Sequence, residues 1–126
     1  ELKPQEQEED VLDIDAELPA DYLNPDLHKL VEQFEPYGED NPPIIFLTRR
    51  LKIANVDLVG KGEQQHAKLL LDSGGYKWPA IFWRAGERVN RDFSLGDTVD
   101  VVFRLGRNYF QNTETSQLTI LDIKRN

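Results

Sequence analysis

The residues with the most to offer a ligand lie along one stretch, Tyr76-Lys77-Trp78-Pro79-Ala80-Ile81-Phe82-Trp83-Arg84, where rings are interleaved with cations. Lys68 stands on the apolar segment before it, and Arg107, Tyr109 and Phe110 form a second group downstream. Rings beside Lys and Arg are what an unpaired polynucleotide needs. Bases stack on the rings at roughly 1–3 kcal/mol each, while the cations track the phosphates. The candidate binding set is therefore Lys68, Tyr76, Lys77, Trp78, Arg84, Arg107, Tyr109 and Phe110. Alternation along a strand puts Tyr76, Trp78 and Phe82 on one face, Ile81 and Trp83 on the other. Only one face can line a core; this reading places Trp78 on the ligand side.

Other chemistries find no constellation. The chain has no cysteine, which removes disulfides, thiolate metal sites and cysteine nucleophiles and suits a reducing cytoplasm. His28 and His66 lack the spaced partners of a metal site and read as surface residues. No glycine-rich phosphate loop precedes a helix, since Gly60, Gly62, Gly74 and Gly75 all fall between strands. No apolar run is long enough for a membrane span and no signal-peptide pattern opens the chain. Catalytic, cofactor and metal sites are thus expected to be absent from these residues.

The elements that must position the aromatic stretch are short strands. Ile44–Leu47 and Leu51–Leu58 are apolar runs, the second strictly alternating, and a polar break at 60–63 follows. His66–Asp72 and Tyr76–Trp83 form a hairpin about Ser73-Gly74-Gly75. A short helical turn at 85–89 and a corner at Leu95-Gly96-Asp97 lead into Thr98–Arg107, and Leu118–Lys124 closes the set after a polar loop from Asn108 to Ser116. Five strands with a helical turn between the third and fourth make the predicted fold mainly β, a five-stranded OB-fold barrel of Greek-key type.

Two segments precede the barrel: an acidic arm over residues 1–23 and a connector over 24–43. Glu1 to Asp10 has nothing to bury, and Val11-Leu12-Asp13-Ile14-Asp15 alternates like a strand or an arm lying along a neighbour. Asn24-Pro25-Asp26 signals a helix start, with Asn24 as cap. Leu27, Leu30, Val31 and Phe34 then make one apolar stripe before Pro36 and Gly38 end the helix. Such a helix is too short to stand alone and must dock.

Charge divides along the same line. Residues 1–43 hold 14 Asp and Glu against two Lys, whereas residues 44–126 hold nine against 13 Lys and Arg, so a net −8 conceals a barrel of +4. An acidic arm repels DNA and attracts basic partners, which keeps protein–protein or interdomain docking open as the alternative function. The chain contains no methionine and begins at Glu1, and it reads as a piece of a longer protein.

One segment adds a resemblance. Phe34-Glu35-Pro36-Tyr37-Gly38-Glu39-Asp40-Asn41-Pro42-Pro43-Ile44-Ile45-Phe46 resembles the P-F-G-x-G-N-P-x-P-x-F signature of bacterial RecJ, the single-strand-specific DNA exonuclease family, where it joins a helix to an OB domain. Ala80-Ile81-Phe82-Trp83, Leu95 to Val101 and Leu118-x-Ile120-x-Asp122-Ile123 extend the likeness over roughly residues 12 to 126. Tyr37 stands where the family has phenylalanine and Asp40 where it has glycine. The resemblance implies a parent enzyme that degrades single-stranded DNA from 5′ to 3′ in repair and recombination, with Mn or Mg held by Asp and His motifs of its DHH and DHHA1 domains. Those motifs are not in this sequence. It further implies that this piece is non-catalytic and grips single-stranded DNA beside the nuclease core of its own parent chain, with other repair proteins as further partners.

Overall fold

The computed structural model describes residues 14–24, 26, 27, 29, 44–60, 65–110 and 113–126, with backbone alone at 107–110 and 113–116. Six strands follow in chain order: β1 (Ala16–Glu17), β2 (Ile45–Val59), β3 (His66–Asp72), β4 (Lys77–Phe82), β5 (Thr98–Phe110) and β6 (Thr113–Arg125). Hydrogen bonding runs β1-β2-β3-β4-β6-β5, and β5 pairs back onto β2, closing β2 to β6 into a five-stranded barrel. All contacts are antiparallel except β4 with β6 and the small β1 with β2. This is the expected OB-fold, and closure removes the open edges that an unrolled sheet would expose.

β2 runs unbroken through both apolar runs. It serves β5 with its first half and β3 with its second, and must bend between them. The bend falls at a bulge between Thr48 and Leu51, where Arg50 takes φ 65° and its N–H donates to Asp100 Oδ1 at 3.1 Å. A bulge increases local twist, which is how one strand can serve both sides of a small barrel. The bulge falls between the two apolar runs, at Thr48-Arg49-Arg50.

The barrel is filled by Leu51, Ile53, Leu69, Leu71, Trp78, Phe82, Val99, Val101, Phe103, Leu105 and Leu118, among others, all buried. Phe93, from the connection between β4 and β5, is fully buried and stacks on Phe82 at 6.1 Å. Leu18, Leu23 and Leu27, from the segment before the barrel, join the same core. Residues 14–23 therefore lie along the barrel. Asp15 N–H donates to the Ile45 carbonyl, Leu18 N–H to that of Leu47, and buried Thr48 Oγ1 to that of Leu18, each at 2.8 Å.

The helix start at Asn24 is present: Asn24 Oδ1 accepts from Asp26 N–H at 2.8 Å, the capping bond anticipated. The remainder of that helix, including His28, Leu30, Val31 and Phe34, and the Pro36–Pro43 signature lie outside the described residues, as does the arm before Ile14.

Two expectations are corrected. The segment Asn108–Ser116 is not a loop. β5 and β6 stay paired through Arg107↔Ser116, Asn108↔Thr115, Tyr109↔Glu114 and Phe110↔Thr113, so a two-stranded arm extends beyond the last β4–β6 pair at Ala80↔Leu118. Its polarity suggested a loop, but Thr, Tyr and Phe favour strands. The second correction concerns Trp78. It is 1% exposed, in the barrel core, and cannot serve as a platform for bases. The reason lies across the ladder: Trp78 pairs with buried Leu71, and Ala80 with buried Leu69. Directly opposed residues share a face, so Trp78 points inward.

Candidate nucleic-acid interface

The outer face of β3 and β4 carries the cations. Lys68, exposed, is opposite Ile81; Leu70 is opposite Pro79; exposed Lys77 is opposite Asp72 at the first β4 pair. From Lys77 to Trp83 the strand rises roughly 20 Å, at about 3.3 Å per residue. Tyr76, at the entrance to β4, is only partly exposed and packs edge-on against Trp78 at 5.9 Å, on the core side. Arg107, Tyr109 and Phe110 sit on the β5–β6 arm. The candidate residues thus divide into an outward set, Lys68, Lys77 and Arg84, an inward pair, Tyr76 and Trp78, and three on the arm.

A ring that the binding set omitted stands where Trp78 was expected. Trp83, the first residue beyond β4, is 55% exposed and meets His66 edge to face, with ring centroids 4.8 Å apart. The clue was in the sequence: alternation places Trp83 on the face opposite Trp78, and if one is in, the other is out. Arg84 follows at φ 62°, a conformation that costs a non-glycine residue roughly 1–2 kcal/mol. Its N–H donates to His66 Nδ1 at 2.7 Å, which holds the turn.

Electrostatics separate the cations further. Arg49 is bonded to Glu17 and Asp100, Arg88 to Asp92 and Asp122, and Arg125 to Asp97. Those guanidiniums fasten elements together. The hydrogen bond from Arg88 holds the Asp92 carboxyl below its ordinary range, and that from Arg125 does the same for Asp97, helped by Ser94 N–H. Arg88 also lies over the Phe82 ring at 5.0 Å and donates to the Ile123 carbonyl, so it ties the β4–β5 connection to β6. Lys68, Lys77 and Arg84 have no ion pair among the described residues.

The described residues contain no group of three His, Cys, Asp or Glu side chains that could hold a metal, and no helix long and apolar enough to cross a membrane. Among the described residues no donor set fits the Mn or Mg ions expected of a nuclease core.

Comparison with known proteins bears on the family and the fold. The sequence profile of the family described as RecJ OB domain matches residues 14–122. RecJ from Thermus thermophilus, solved with Mn2+, superposes with a TM-score of 0.54 at 25% identity over 90% of this chain, and the Mg2+ form with 0.51 at 23% over 85%. This chain covers 15% of the length of either. The second single-stranded DNA binding protein of Mycobacterium smegmatis, SSBb, gives 0.54 at 19% identity, over 65% of this chain and 84% of that one. No curated protein sequence matches significantly. With the profile running through nearly all of the barrel and the segment packed upon it, this chain belongs to the RecJ OB-domain family.

Proposed function

We propose that this chain is the single-stranded-DNA-gripping module of a RecJ-like 5′-to-3′ exonuclease of repair and recombination, itself non-catalytic and working beside a nuclease core elsewhere in its parent protein. The observation that carries the reading is the set of cations Lys68, Lys77 and Arg84, without ion pairs among the described residues, bordering a face that ends in an exposed indole. OB barrels bind oligonucleotides on the corresponding two strands and the loops that flank them. Here those flanks are the connection between β2 and β3 and the β5–β6 arm with Arg107, Tyr109 and Phe110. Family membership supports the same reading, and the mycobacterial likeness adds the fold.

Anisotropy of a labelled oligonucleotide, titrated with the chain at two salt concentrations, tests the proposal. Binding should favour single strand over duplex. Three phosphate contacts should give a slope of log K on log salt of about −2, at about 0.7 per contact. Absence of binding at low salt would leave interdomain docking against the nuclease core as the function.

A further inference from the structure

We propose that the corner where β4 leaves the barrel is a single-nucleotide subsite, taking one unpaired base on Trp83 and the adjoining phosphate on Arg84. The inference rests on the DNA-gripping reading above and adds to it the residue on which a base sits.

The corner is built more firmly than an ordinary exit from a strand. Trp78, Ala80, Ile81 and Phe82 are all 7% exposed or less, and then the chain turns the next ring out to 55%. Two cross-links to the start of β3 hold it there. Arg84 N–H donates to His66 Nδ1 at 2.7 Å, and Gly86 N–H donates to the Gln65 carbonyl at 2.9 Å. The second approach is so close that a Cβ on Gly86 would lie 2.8 Å from Gln65 Cβ and 2.9 Å from its carbonyl oxygen, so only glycine fits. Arg84 is meanwhile kept in the left-handed region, where glycine would rest without strain. Backbone strain that surrounding bonds maintain is a mark of positioned function.

What is positioned is an indole and a guanidinium on consecutive residues. His66 meets Trp83 at an interplanar angle of 75°, fixing the ring by one contact while more than half of the residue stays open. Exposed Arg84 has no ion pair among the described residues, and Lys68 lies two residues along β3 from His66. A flat apolar surface flanked by free cations matches a base with its phosphate. A base in duplex could reach the ring only by leaving its stack, so the subsite selects for unpaired strand.

The chain has two tryptophans, one buried and one exposed, so its own fluorescence reports the subsite. Titration with an oligothymidylate should quench emission in step with the anisotropy isotherm, and Trp83→Phe should abolish the quenching. Trp83→Ala should weaken binding roughly 5- to 150-fold, the equivalent of one stacked base, with an unchanged urea midpoint because the ring is exposed. Arg84→Gly keeps the left-handed turn and removes the cation; it should lower the salt slope by about 0.7. If Trp83→Ala binds as tightly as the parent and no quenching occurs, the subsite is wrong while DNA binding stands. If the unaltered chain binds no oligonucleotide, the reading beneath it falls as well.

Discussion

Trp78 and Trp83 are five positions apart and do opposite work. Trp78 fills the barrel beside Leu71, so Trp78→Ala should cost about 3–5 kcal/mol, measured as a drop in the urea midpoint at constant m-value. This inversion was partly legible in the sequence. Period two separates the two rings but does not say which is inside, because both faces carry large apolar groups. The deciding pattern sits on the partner strand, where Ala67, Leu69 and Leu71 alternate with His66, Lys68 and Asp72. A turn at Ser73–Tyr76 about Gly74-Gly75 fixes Leu71 opposite Trp78, and with that register the ring is inward. Cations need the same cross-strand view. Lys68 and Arg49 look alike in sequence, yet Arg49 is engaged by Glu17 and Asp100. Lys68→Ala should accordingly reduce the salt slope of oligonucleotide binding by about 0.7, and Arg49→Ala should leave it unchanged.

Among the elements, the strands were readable because their alternation is strong, and the connections were not. The β5–β6 arm hides behind polar residues that nevertheless pair in a continuous backbone ladder. Its cation and rings, Arg107, Tyr109 and Phe110, were visible as a group but not as parts of a paired ribbon. The β4–β5 connection hides differently. Its short 3₁₀ turn at Gly86–Arg88 could be foreseen, but not the close approach to Gln65 that makes Gly86 obligatory, since nothing local to residues 83–90 points to residue 65. Gly86→Ala should therefore destabilise the barrel by about 1–3 kcal/mol through overpacking, and should loosen the corner that carries Trp83. Acrylamide quenching of the exposed tryptophan would detect that loosening separately from the loss of stability in urea.

At the scale of the molecule, the division of charge is more informative than the net value. Residues 44–126 are basic by four charges, and the ion pairs drawn from them sit at joints. The Arg125–Asp97 pair joins the end of β6 to the corner before β5, where Gly96 N–H and the Asp97 carbonyl also bond Ile53. The Arg88–Asp92 pair closes the connection that carries Phe93 into the core. Both carboxyls titrate below the ordinary value of 3.8, chiefly because an arginine hydrogen-bonds the charged form. A folded-state pKa below the unfolded one means that the stabilisation is complete above about 3.8 and is lost as pH falls through the lowered values. Protonation would release two joints at the same end of the barrel, since Arg88 also donates to the Ile123 carbonyl of β6. The barrel should therefore hold a nearly constant urea midpoint from neutral pH down to about 5 with respect to these two groups, and lose stability below about 4. Asp97→Asn keeps the shape and removes the charge, so it should lower the midpoint at pH 7 and flatten the acid limb of the curve. An acid limb as steep in Asp97→Asn as in the parent would assign the loss to other carboxylates.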